Sequence, residues 1–179
     1  MAREAAAVAT PLGTFFVVAE EGALVQSGFG EVPPLPPGAL AEAAGEAVAR
    51  YFAGEALASF PLRPRVSPFY ARVYRELSKT RPGEVLSYGE LARRAGRPGA
   101  ARAVGRAMAE NPLPLFVPCH RVIPASGRLG GYGLFPWRKA ALLLLEAGEP
   151  DLEDRLPRLR AHPDLASVRL GDLLGDGEP

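Results

Sequence analysis

Residues 87–109 read SYGELARRAGRPGAARAVGRAMA. Ser87 followed three positions later by Glu90 is a capping box: the hydroxyl accepts from the amide three residues on, and the carboxylate reaches back. A short helix is therefore predicted from Tyr88 to Ala95, with Gly96 as its left-handed stop. Arg97-Pro-Gly99 makes a turn. A second helix, residues 100–109, places Ala103, Val104, Ala107 and Met108 on one face and Arg102 and Arg106, four apart, on the other. Two short helices about a tight turn, with arginines on the outer face of the second, form the pattern of a helix-turn-helix, which a plain αα-corner also shows. Ala101, Gly105 and Ala109 keep that outer face small. Small side chains let a helix backbone approach a narrow groove, although alanine is also simply a good helix former.

Upstream, Thr14 to Ala19 and Ala23 to Phe29 are β-rich runs joined by Glu21-Gly22, a hairpin. The proline-rich run 31–38 is a stiff connector. Residues 40–53 read as an amphipathic helix ending before Gly54, and Ser67-Pro68 opens another, with Phe69, Val73 and Leu77 as its buried face. These elements give a mixed α/β (α+β) fold. A small N-terminal domain of hairpin and helix spans residues 1–65, a mainly helical domain with the helix-turn-helix spans 66–148, and a tail spans 149–179.

The chain of 179 residues is near neutral, with 21 basic and 20 acidic side chains. Their distribution is uneven: residues 1–60 carry net −5, residues 61–128 net +9 and residues 129–179 net −3. A middle third of that charge fits a polyanion-binding surface or a solvated basic face paired with acidic neighbours. The chain contains no run of 18 or more apolar residues, so a soluble, cytoplasmic protein is expected. A single cysteine excludes an internal disulfide and a four-cysteine zinc site. No cofactor is expected.

After Asn111, the only asparagine, the sequence runs Pro112-Leu-Pro-Leu-Phe-Val-Pro-Cys-His-Arg-Val-Ile-Pro124. Four prolines fix φ and remove donors, so this stretch is expected to be an extended rigid strap with Leu115, Phe116 and Val117 as core. Cys119, the only cysteine, lies beside His120, one of two histidines. A base next to a thiol is the arrangement that activates a nucleophile, while the plainer alternative is a buried inert cysteine beside a satisfied histidine.

Taken together, Ser87-Tyr-Gly-Glu90, Ala101-Arg-Ala-Val-Gly105, Asn111-Pro-Leu-Pro114, Pro118-Cys-His-Arg-Val122, Ser126-Gly127, Gly130-Gly-Tyr-Gly133, Lys139, Leu142-Leu143 and Glu146 resemble the O6-alkylguanine-DNA alkyltransferase family. The resemblance is close over residues 67–148. It implies that Cys119 accepts the alkyl group by in-line displacement and acts once. His120 would reach the sulfur through a water, with Glu146 orienting the imidazole, and Asn111 would hold the turn into the strap. Tyr88 would approach the flipped nucleotide's phosphate and protonate the departing guanine, and Arg102 would fill the gap in the base stack. Val122, Gly131, Tyr132 and Gly133 would wall the pocket, while Arg121, Ala101 and Gly105 join the DNA-facing set. The partner implied is duplex DNA carrying O6-alkylguanine, with O4-alkylthymine as a further lesion, bound through the minor groove by a monomer without metal or cofactor. Flipping is required because O6 lies within a stacked, paired base.

The chain departs from the family pattern at Gly133-Leu-Phe-Pro-Trp137, which leaves the pocket's width open, and at Val66-Ser67 and Tyr74. Two rival readings are a non-catalytic lesion binder or helix-turn-helix regulator, which needs no nucleophile, and a cysteine hydrolase, which needs an oxyanion hole that nothing in the sequence supplies.

Overall fold

Two antiparallel ladders define the first sheet. In the computed structural model, which describes residues 2–131, 134–149 and 151–175, β1 (Arg3–Thr10), β2 (Gly13–Glu20) and β3 (Ala23–Phe29) pair antiparallel in the order β1-β2-β3. Glu21 and Gly22, at φ 50° and 78°, make the two-residue turn whose twist suits the strands it joins. The sequence pattern predicts only the β2–β3 hairpin, and β1 is an additional strand. Its alanines have little strand preference of their own, so pairing with β2 from Arg3↔Glu20 to Thr10↔Gly13 is what makes it a strand. The helix α1 (Ala39–Phe52) buries Ala41, Ala44, Ala47, Val48 and Tyr51 and packs on β1 and β2.

This first unit runs to Ser67 and takes in Pro112–Val117. Ser27 on β3 holds that segment twice, its amide donating to Pro112 O and its hydroxyl to Pro114 O, both at 2.9 Å. The strap is not extended throughout. Val117 N donates to Leu113 O at 2.8 Å, and Leu115 takes a left-handed φ of 71°, so the segment turns back once. The turn seats Leu113, Leu115, Phe116 and Val117 in the core together.

The second unit comprises Pro68–Asn111 and the residues from Pro118 onward. Its elements are α2 (Pro68–Leu77), β4 (Leu86–Ser87), α3 (Tyr88–Arg94), α4 (Ala101–Ala109), a 3-10 turn at Cys119–Arg121, β5 (Val122–Ile123) and α5 (Pro136–Glu146). The capping of α3 follows its sequence: Ser87 Oγ accepts from Glu90 N at 3.1 Å, and Gly96, at φ 84°, ends the turn. Glu90 turns its carboxylate to Arg94 instead of reaching back. In α4, Val104, Ala107 and Met108 are buried while Arg102 and Arg106 are exposed. Gly105 is buried as well, contrary to its expected place on the outer face, because it lies next to Val104 and one turn before Met108, at the edge of the buried face. The short strands β4 and β5 pair in parallel, Leu86 opposite Val122.

Residues 151–175 are folded, and do not form a tail. They make α6 (Leu152–Ala161), a 3-10 turn at Leu165–Ser167 and α7 (Leu170–Leu174). Prolines obscured α6 in the sequence, yet Leu152, Leu156 and Leu159 recur at helical spacing and are buried, and Pro157, inside the helix, removes the donor that would have bonded Glu153 O.

Tyr74 of α2 is buried, and its hydroxyl donates to Ala107 O of α4 at 2.7 Å. Tyr74→Phe is expected to lower unfolding free energy by about 1 kcal/mol, read from urea midpoints. An unchanged midpoint would show that this bond does not hold α2 to α4.

Candidate active site

Cys119 opens a single 3-10 turn, closed by Arg121 N donating to Pro118 O at 3.0 Å. Pro118 fixes the entry to that turn, and pairing of β5 with β4 fixes its exit. The thiol is buried, the residue being 4% exposed. Burial raises its pKa; a hydrogen bond from the Asn111 side chain, the nearby Lys139 charge and the backbone groups of residues 119 and 120 pull it back down. The net direction is upward, so the thiol needs a base to become a thiolate.

A candidate for that base lies in the same turn. His120, 1% exposed, donates from Nε2 to Glu146 Oε2 at 2.7 Å. With Nε2 protonated toward a carboxylate, Nδ1 is the basic nitrogen, and it is buried with no hydrogen-bond partner among the described residues. Glu146 comes from the last turn of α5. Arg121 grips the same carboxylate with two bonds, Nε to Oε1 at 2.8 Å and Nη2 to Oε2 at 3.0 Å, and anchors its remaining nitrogen on Thr80 O at 2.9 Å and Thr80 Oγ1 at 3.1 Å. Burial alone would raise the Glu146 pKa, but the His120 hydrogen bond and charge, then those of Arg121, override it and bring it to about 2.

The structure thus brings Asn111, Cys119, His120 and Glu146 together. Arg121, expected on the DNA-facing set, turns inward, because a guanidinium fork fits a buried carboxylate that would otherwise be uncompensated. Val122 is fully buried in β5. Tyr88 is half-buried at the start of α3, Ala101 is half-buried, Arg102 is exposed on α4, and Gly131 is exposed in the loop between β5 and α5. Tyr132 and Gly133 lie outside the described residues.

Lys139 belongs to the site although the sequence reading gave it no role. The residue is 1% exposed, and its ammonium donates to Val122 O at 2.7 Å and has its pKa lowered by burial to about 8, Cys119 pulling the other way. The signal was its position on the apolar stripe of α5, in phase with Leu142, Leu143 and, two turns on, Glu146. A separate cleft of about 170 Å³, bordered by Trp137, Arg160 and His162, includes none of the residues above.

A family model described as "6-O-methylguanine DNA methyltransferase, DNA binding domain" matches residues 68–148. A methylated-DNA–protein-cysteine methyltransferase of Mycolicibacterium paratuberculosis is 52% identical over 103 residues, covering 56% of this chain and 62% of that protein, so the match spans under two thirds of that relative's length. The Salmonella typhimurium protein of the same name is 36% identical over 159 residues, 76% of this chain and 91% of its own. A crystal structure of Mycobacterium tuberculosis OGT in complex with DNA superposes with TM-score 0.75 at 37% identity, covering 86% of this chain and 98% of that one.

Glu146 also carries a pH signature. Its folded pKa of about 2 lies below the ordinary 4.5, so its contribution is complete above pH 4.5 and is lost as pH falls toward 2. Glu146→Gln is expected to be less stable at neutral pH by on the order of 3 kcal/mol and to show a shallower stability loss between pH 4.5 and 2 in urea titrations. Parallel pH profiles for variant and wild type would refute the ionised, paired carboxylate.

Proposed function

The chain belongs to the family of methylated-DNA–protein-cysteine methyltransferases, and on that footing we propose that it repairs O6-alkylguanine in duplex DNA by moving the alkyl group irreversibly onto its own Cys119. The observation that carries the reading is a carboxylate held ionised and hydrogen-bonded to His120, in the same three-residue turn as the only cysteine.

The helix α4 enters the minor groove and Arg102 takes the place of the extruded nucleotide. Exposed arginines on a helix with half-buried Ala101 support this, since contact there is to backbone and stack rather than to base edges. Extrusion costs a few kcal/mol, least where alkylation has weakened pairing, which favours lesions over normal guanine.

In the chemical step a water joins His120 Nδ1 to the thiol. The thiol proton passes to that nitrogen, the sulfur lone pair attacks the alkyl carbon, the carbon–O6 bond breaks, and its electrons remain on guanine. Tyr88 protonates the departing base and is reprotonated from the imidazolium, so the thiol proton ends on guanine and no net charge is left. Lys139 and Asn111 stabilise the transient thiolate in a buried setting where an isolated anion is costly. The thioether formed has no hydrolysis route, so each molecule turns over once. The substrate places this work where the DNA is, the cytoplasm, and one chain suffices for it.

A short duplex carrying O6-methylguanine tests the reading. Intact protein mass is expected to rise by one methylene, mapping to the Cys119 peptide, and to stop at one equivalent. Cys119→Ala should abolish transfer while DNA binding persists, and Arg102→Ala should slow transfer by about tenfold or more through lost extrusion energy. Modification at another residue, or continued turnover, would overturn it.

A further inference from the structure

Three backbone hydrogen bonds tie the loop between β5 and α5 to the end of the chain. Beyond the turn at Ser126-Gly127, Leu129 N donates to Val168 O at 2.9 Å and Gly130 N to Ala166 O at 3.0 Å, while Leu170 N donates to Gly127 O at 2.9 Å. Arg128 and Arg169 face each other as an antiparallel bridge, and Leu129 is fully buried. On its other side the loop is equally confined: a Cβ on Gly130 would fall 2.9 Å from Pro124 Cδ and 3.8 Å from Lys139 Nζ. The loop backbone is thus held between the buried lysine and residues 166–170.

The holding segment is itself anchored. Leu165, Leu170 and Leu173 are buried, and α7 packs on α5. Arg155 of α6 joins the two ends, donating to Leu173 O at 2.8 Å and pairing with Glu149 at 2.6 Å. None of these clamping residues falls within the stretch that matches the family model, 68–148.

We propose that residues 165–174 are a clamp that positions the loop of residues 127–131 for alkyl transfer, with the amide of Leu170 as a positioning group. The inference rests on the alkyltransferase reading above. A loop with glycines at 127, 130 and 131 has wide backbone freedom, and ordering it at each encounter would cost entropy just where reacting atoms must be aligned. Pairing with the chain's end settles that cost during folding. The clamp touches neither base nor sulfur.

Leu170 offers a clean substitution. It is the first residue of α7, and Arg169 before it has ψ 138°, which a following proline accepts, so Leu170→Pro removes one N–H without breaking the helix. Leu170→Ala, which trims the side chain and keeps the N–H, is the control. Single-turnover transfer from an O6-methylguanine duplex is measured at saturating DNA, together with duplex affinity and the rate at which a small neutral thiol reagent labels Cys119. Leu170→Pro is expected to transfer about fivefold more slowly than Leu170→Ala, the equivalent of one net backbone hydrogen bond, with equal affinity and no slower labelling. Arg155→Ala, which frees α7 at a distance, should slow transfer in the same direction, and decides the matter if the proline variant fails to melt cooperatively. Transfer at the control rate by Leu170→Pro, or at the wild-type rate by Arg155→Ala where that variant decides, would overturn the clamp. A wild-type protein that transfers nothing would instead overturn the function on which the clamp rests.

Discussion

The Glu146 carboxylate is the hub of the second unit's chemistry. A buried anion of this kind persists only if its hydrogen-bonding capacity is filled, and here Arg121 fills it from one side and His120 from the other. Both partners come from the three-residue turn that begins with Cys119, so satisfying one carboxylate also fixes the orientation of the turn that carries the thiol. Arg121 passes the constraint on to Thr80, beyond the end of α2. Removing Glu146 or Arg121 would leave a buried charge uncompensated, the costly outcome for such pairs.

Around the sulfur, two opposing effects are set against each other. Burial excludes water and raises the thiol pKa, which protects the cysteine from idle oxidation or alkylation. Asn111, Lys139 and the local backbone favour the anion, but only enough to offset part of the desolvation. The resting state is therefore a thiol whose ionisation is deferred until a base takes its proton. Under the proposed single-use transfer, a constantly exposed thiolate would be spent on the wrong target. Lys139, itself depressed to about 8 by burial, sits near the point where its own charge is contested, so the site holds two groups whose charges depend on each other.

Much of this was legible in the sequence because local rules and tertiary demands agree. Ser87 and Glu90 announce α3, Gly96 its end, and the four-residue spacing of Arg102 and Arg106 marks the outer face of α4; each is decided within one or two turns of chain. The rarity of Cys119, His120 and Asn111 pointed to the site. What escaped notice depends on distant partners. β1 is a strand because β2 pairs with it, Leu115 turns back because the core needs four apolar side chains together, and Arg121 faces inward because Glu146, twenty-five residues on, requires compensation. The fold of residues 151–175 was masked by prolines and acidic residues, although its leucines keep helical spacing. Lys139 was named only as part of the family resemblance, and its burial depends on its phase with Leu142 and Glu146 along α5.

The measurement that bears most directly on the relay is the pH profile of single-turnover transfer for His120→Ala beside wild type. If His120 takes the thiol proton, the variant should be slower by roughly 10² to 10⁴ at neutral pH. Its rate should then climb about tenfold per pH unit as direct ionisation of the buried thiol replaces the lost base. A variant that transfers at the wild-type rate, with the same pH profile, would contradict the central claim.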